Sequence, residues 1–213
     1  MHDRFRQQAL DSSKRTRTRA ALLDSAVNLV AEAGINRVTL QAITQSCGLA
    51  HGTFYNHFDD CEDLIVAAAV GVIDDIHRGM SPALRRSAPG LHRLVGAIEL
   101  IVSESQRDPA RSALLAETIG RFEAVTRRVR PKLRQDVIAG RKAGLVQVRS
   151  TRLLDAQIGA LVGLAITRQI AKPNAAITRD TSEAVLRLLG VDTDDAHRIV
   201  GESLAGSASR SSS

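Results

Sequence analysis

The sequence predicts an all-α protein of about nine helices. A three-helix unit containing a helix-turn-helix comes first, and a larger helical domain follows. Two observations predict the class: apolar residues recur at intervals of three and four along nearly the whole chain, and no stretch alternates with the period of two that a strand needs. A third places the helix-turn-helix. Two short amphipathic stripes, Leu40 with Ile43 and Phe54 with Phe58, flank Gly48, the residue best suited to a left-handed stop past a helix end.

In chain order, residues 1–14 read as a basic, disordered arm. Ala21, Leu22, Ala26, Leu29, Val30 and Ala33 then trace a first helix that stops at Gly34, with Ile35 and Val38 closing its base. Thr39 is a good N-cap for the second helix, and Phe54 and Phe58 bury one side of a third. Asp59 or Asp60 caps the fourth, where Glu62 and Asp63 complement the helix dipole and the helix runs to about Arg78. Its apolar run, residues 64–73, is half the length of a bilayer span and reads as a buried helix linking the two domains. Met80, Ser81 and Pro82, then Ser87 to Gly90, break the pattern.

Leu91, Leu94, Val95, Ile98, Ile101 and Val102 form the cleanest stripe, and Asp108 with Pro109 opens the next helix. Pro131 should kink or restart the helix that carries Val125 and Val129. A long helix over 151–170 holds Gly159 and Gly163 one turn apart, small faces that admit a second helix. The last regular helix begins at Asp180, with Glu183 three residues on, and closes at Gly190. The domains expected are thus residues 15–60 for the helix-turn-helix, 61–204 for the larger unit and 205–213 for a Ser-rich disordered tail.

Twenty-nine Lys and Arg against 23 Asp and Glu leave a net charge of +6, which favours an anionic partner. The first twenty residues hold six basic groups against two acidic. Residues 121–149 hold nine against two, a run that reads as a solvated helix face. Two cysteines make no disulfide framework and no signal-peptide pattern opens the chain, so a cytoplasmic protein is expected. Cys47, His51, His57 and Cys61 are the right types for zinc, but His51 and His57 are six residues apart on a short helix and face different ways, so no metal is expected. No nucleophile elbow, phosphate loop or zincin helix is present, and no cofactor is expected.

The chain has four Phe and one Tyr, and three of these five fall between residues 54 and 58. The pattern Thr39-x3-Ile43-x4-Gly48-Leu49-x2-Gly52-Thr53-Phe54-Tyr55-x2-Phe58, followed by Glu62-Asp63-Leu64, resembles the DNA-binding signature of the tetracycline-repressor (TetR) family. The resemblance is strong over residues 15–66, weaker to about 190 and absent at the ends.

It implies a transcriptional repressor that binds a palindromic operator in double-stranded DNA as a homodimer and is released by a small effector. For DNA it implicates Arg15, Arg17, Thr39, Gln41, His51, Gly52, Thr53, Tyr55, Asn56 and His57. Residues Thr53, Tyr55 and His57 match positions that the family uses on phosphates or sugars. Three departures stand out: Ala50 replaces the usual Ser or Thr cap, and His51 and Cys61 stand where Lys is common.

Family topology with the apolar stripes nominates Leu94, Ile98, Ile101, Ile119, Phe122, Val162 and Ile166 for an effector pocket. Leu154, Ile158, Leu161, Ala165, Val185 and Leu188 are nominated for the dimer interface, with Gly159 and Gly163 as its small faces. The larger domain's scarcity of aromatics favours an aliphatic or acyl-like effector. Two other readings stay open: a weakly specific architectural DNA-binding protein with no effector, and a helical enzyme. No membrane partner is expected.

Overall fold

The computed structural model describes residues 2–148 and 151–211, with side chains to Gly206; Arg149, the last cation of the basic run, lies outside the described residues. Among the described residues there are twelve α-helices, one 3-10 turn and no strand. The helices are α1 (Arg4–Gln8), α2 (Lys14–Ala33), α3 (Leu40–Cys47), α4 (His51–Tyr55), α5 (Cys61–Gly79), α6 (Pro82–Arg86), α7 (Leu91–Arg107), α8 (Pro109–Thr118), α9 (Glu123–Lys142), α10 (Arg152–Ala171), α11 (Ala175–Leu188) and α12 (Thr193–Ser211).

Helices α2, α3 and α4 form the helix-turn-helix unit, closed by Leu22, Val27, Ile43 and Phe54, all fully buried. Helix α5 packs against α2, α8 and α9 and so joins the two domains. Its start is set by Asp60, whose carboxylate accepts from the Asp63 N–H at 2.8 Å. The larger domain centres on α7, α8 and α10, with α11 and α12 packed together along α7.

Five expectations change. The arm is not free, because α1 lies on α2 with Phe5 buried and the backbone N–H groups of Phe5 and Arg6 donating to the buried Asp24 carboxylate at 3.0 and 2.9 Å. The basic pattern that suggested disorder is absorbed by buried acids: Arg4 lies 3.7 Å from Asp75, and Arg6 3.9 Å from Asp24. Pro131 sits inside an unbroken α9, on a face exposed from Arg127 to Arg134, where water can satisfy the carbonyl that the ring leaves without a donor.

Helix α11 starts at Ala175, because the Asn174 side chain accepts from the Ala176 N–H at 2.9 Å and caps it before Asp180 is reached. The Ser-rich end is helical to Ser211, as a continuation of α12, which is anchored by Ala196, Ile199 and Val200 in the core; Ser212 and Ser213 lie outside the described residues. Finally, Gly159 and Gly163 do not face outward. A Cβ on Gly159 would come within 2.7 Å of the Gly120 nitrogen, and one on Gly163 within 2.6 Å of the Ala116 carbonyl oxygen. Their bareness serves the packing of α8 on α10 inside one protomer.

Candidate nucleic-acid interface and effector cavity

The turn between α3 and α4 is built by local rules. Thr39 accepts from the Ala42 N–H at 3.2 Å to open α3, and Gly48, with φ 64° and ψ 35°, closes it in the left-handed conformation. The Ser25 and Ser46 hydroxyls share a hydrogen bond, and the Cys47 thiol donates to the Ala21 carbonyl at 3.4 Å, both tying α3 to α2. Helix α4 begins at Ala50 with no side-chain cap. It is held from beneath by Phe54 and Phe58, whose ring centroids lie 6.0 Å apart.

On this base Thr39, Gln41, His51, Gly52, Tyr55 and Asn56 are exposed, and Thr53 and His57 are half-buried. Tyr55 is 59% exposed, edge-on to Phe54, an exposure that packing does not explain for the chain's one tyrosine. A Cβ on Gly52 would meet nothing within 4 Å, so its lack of a side chain serves no contact inside the protomer.

Arg15 and Arg17 lie in the exposed first turns of α2, where the Arg17 guanidinium donates to the Ser12 carbonyl at 2.6 Å. Burial, and then the charges of Arg15 and Arg19, hold the His57 imidazole below its ordinary pKa, so α2 places cations beside the end of α4. Arg19 itself lies 4.9 Å over the Phe58 ring. Sequence reasoning counted it in the basic arm without giving it a contact of its own, although its place four residues after Arg15 puts both on one face of α2. Cys61 is the first residue of α5 and half-buried, its thiol pushed up by burial and then by Asp60. Among the described residues no three His, Cys, Asp or Glu side chains converge to hold a metal.

The larger domain holds a cavity of about 100 Å³ bounded by α5, α7, α9 and α10. Five of the seven nominated pocket residues line it: Leu94, Ile98, Ile101, Ile119 and Val162. Phe122 and Ile166 do not; Phe122 stands at the N-cap of α9, and Ile166, fully buried, is core one turn beyond Val162. Ile76, Met80, Ala97, Leu100, Val129, Leu133, Ile158 and Gly159 complete the apolar wall, beside His77, Thr126, Lys132, Asp136 and Asp155.

Four of the nominated interface residues are also core. Leu154, Ile158, Ala165 and Val185 are buried within the protomer, and Leu161 and Leu188 are half-buried. The outward stripe of α10 is one residue out of register with them: Leu153, Gln157, Ala160, Leu161 and Leu164, with Leu153 70% and Leu164 53% exposed.

Residues 22–68 match the family model described as bacterial regulatory proteins, tetR family. The chain is 31% identical over 100 residues to the HTH-type transcriptional regulator UidR of Escherichia coli K12, covering 47% of this chain and 49% of the relative. It is 35% identical over 66 residues to the HTH-type transcriptional repressor KstR2 of Rhodococcus jostii RHA1, 31% of this chain and 32% of that one. The match thus spans about half the length of UidR and a third of KstR2. Over the whole fold, the crystal structure of RolR with the ligand resorcinol superposes with a TM-score of 0.65 at 25% identity, covering 88% of this chain and 94% of that one. Residues 22–68 carry the DNA-binding domain of the tetR family.

A regulator from Shewanella sp. PV-4 with a TM-score of 0.57 and 18% identity, over 79% of this chain and 95% of that one, shares the fold. The family match stops at residue 68, within α5. It covers the helix-turn-helix and leaves the cavity to be read from its own residues.

Proposed function

We propose that the protein is a transcriptional repressor that binds a palindromic operator as a homodimer, through α3 and α4, and lets go when a small apolar effector fills the cavity beside α7. The observation that carries this reading is the polar surface of Gln41, His51, Tyr55 and Asn56, held rigid over the buried Phe54 and Phe58 and flanked by Arg15 and Arg19. A short helix of this kind fits a major groove, where Gln and Asn pair with base edges and cations neutralise phosphates. The names of UidR and KstR2 support regulation, and KstR2's supports repression. The resorcinol of RolR supports a one-ring or similarly small effector. A regulator of this kind works in the cytoplasm.

Selection of bound sequences from a random DNA pool tests the reading. Enrichment of a two-fold symmetric site is expected, and Tyr55→Ala should weaken binding to it at least tenfold without lowering the melting temperature, because Tyr55 is exposed. Equal affinity for all sequences would establish an architectural DNA-binding protein instead.

A further inference from the structure

Among the charged side chains that line the cavity, Lys132 is the one with no oppositely charged partner within 4.0 Å among the described residues. Asp136 accepts from the Gly90 N–H and from Arg93 Nε, each at 2.8 Å, and Asp155 accepts from Arg130 Nε at 2.6 Å. Both carboxylates are therefore engaged by arginines. Asp74, on α5 nearby, is taken by Arg128 at 2.6 Å. Lys132 lines the same cavity from an exposed position on α9, and its Nζ has a thioether as neighbour, Met80 Sδ at 3.9 Å. A thioether is a weak acceptor for an ammonium, and the Asp136 carboxylate that feels the Lys132 charge is already held by two other donors.

His77 borders the cavity one turn before Met80. Burial, then Lys132 and Arg128, hold its pKa below the ordinary value, so it is a neutral ring at pH 7 that can donate one hydrogen bond. Apart from Thr126 and the Met80 thioether, the remaining wall is aliphatic, without a Phe, Tyr or Trp side chain.

Resting on the assignment of this cavity to the effector, we propose that the effector is a small monoanion whose apolar body fills the space between Leu94, Ile98 and Val162 and whose carboxylate or phenolate oxygen meets Lys132 and His77. A cavity of about 100 Å³, smaller than the roughly 150 Å³ that accommodates benzene, restricts the body to one ring or a short chain at most. An uncharged molecule of the same size would leave the Lys132 ammonium without a counter-ion, and a cation would be repelled by it.

Calorimetry on the full-length protein with two matched pairs, benzoate against benzyl alcohol and hexanoate against hexan-1-ol, tests this. In at least one pair the carboxylate is expected to bind tenfold or more tighter than the alcohol. Lys132→Met, on an exposed position, should cost about tenfold for the carboxylate, the usual scale of one hydrogen bond to a charged group, and leave the alcohol unchanged. Ile98→Trp, or Ala97→Phe if that variant does not fold, should abolish both.

Alcohols that bind as well as the carboxylates and are blocked by the same variants would overturn the monoanion while leaving the cavity as the effector site. Carboxylate binding that survives a folded blocking variant would overturn the cavity reading itself. Absence of binding by all four probes, or indifference of the carboxylates to Lys132→Met, overturns the proposal.

Discussion

At the scale of single residues, environment decides what each polar group at the reading surface contributes. His57 is held below its ordinary pKa by burial and by Arg15 and Arg19, so it is neutral at pH 7. An unfolded chain takes up this proton more readily than the folded one, so His57 subtracts from stability as pH falls through the ordinary histidine range. A phosphate beside the ring would reverse the balance by favouring the imidazolium. DNA affinity is therefore expected to rise between pH 7.5 and 6, with proton uptake on binding, and His57→Gln should remove that rise; anisotropy titrations across the range check it.

Cys61 marks the other edge of the surface. It opens α5 at the position where the family resemblance implies a Lys, and it is only half-buried. Cys61→Lys should thus fold, tighten binding to operator and random DNA alike, and steepen log K against log salt by about 0.9 per phosphate contact formed. A fall in melting temperature with an unchanged slope would show that its thiol packs against its neighbours more than it faces DNA.

At the scale of elements, α8 is where the two domains meet side chain to backbone. The Glu117 carboxylate accepts from the Ile35 N–H at 3.0 Å, which fixes the turn leading from α2 to Thr39. Two residues further, Ile119 lines the cavity, and Ala116 and Gly120 rest on the glycines of α10. A ligand that displaces Ile119 thus acts on a segment with little slack. Glu117→Ala removes the acceptor of that N–H, and a loss of about 1 to 3 kcal/mol is expected. Faster amide exchange should follow at Ile35 to Ile43, with exchange in α10 unaltered. Equal acceleration in both elements would mean that the bond contributes to global stability alone.

For the whole molecule, exposed apolar surface and core have to be separated on α10. Leu153, Ala160, Leu161 and Leu164 make an apolar stripe that the protomer leaves uncovered, whereas Leu154 and Ile158 are packed inside. The helix is long and apolar enough to cross a membrane by length and composition, but half of it is buried in the protein, which fits a core helix with a second apolar face. Leu153→Asp and Leu164→Asp are expected to give folded monomers at micromolar concentration, and Leu154→Asp to give unfolded protein, because it places a charge in the core. Sedimentation velocity and circular dichroism on the three variants distinguish these outcomes. A folded dimer from both exposed-face variants would move the interface elsewhere.

The helix-turn-helix was legible from residues alone because its determinants are local. An N-cap Thr39, a left-handed Gly48 and a Phe54–Phe58 pair act within one or two turns, and local rules carry through to the structure. The apolar stripe of α7, taken with the topology that the family resemblance implies, likewise named Leu94, Ile98 and Ile101, which line the cavity. What the sequence left open depends on partners far along the chain. Arg4 and Arg6 look like a free basic arm until Asp24 and Asp75 are brought beneath them. Gly159 and Gly163 offer a small face to any helix, and only packing gives that face to α8. Periodicity says that α10 is apolar on more than one side. Which of Leu153 or Leu154 is core is set by a rotation of about 100° per residue, and that rotation is decided by the helices that bury one of them.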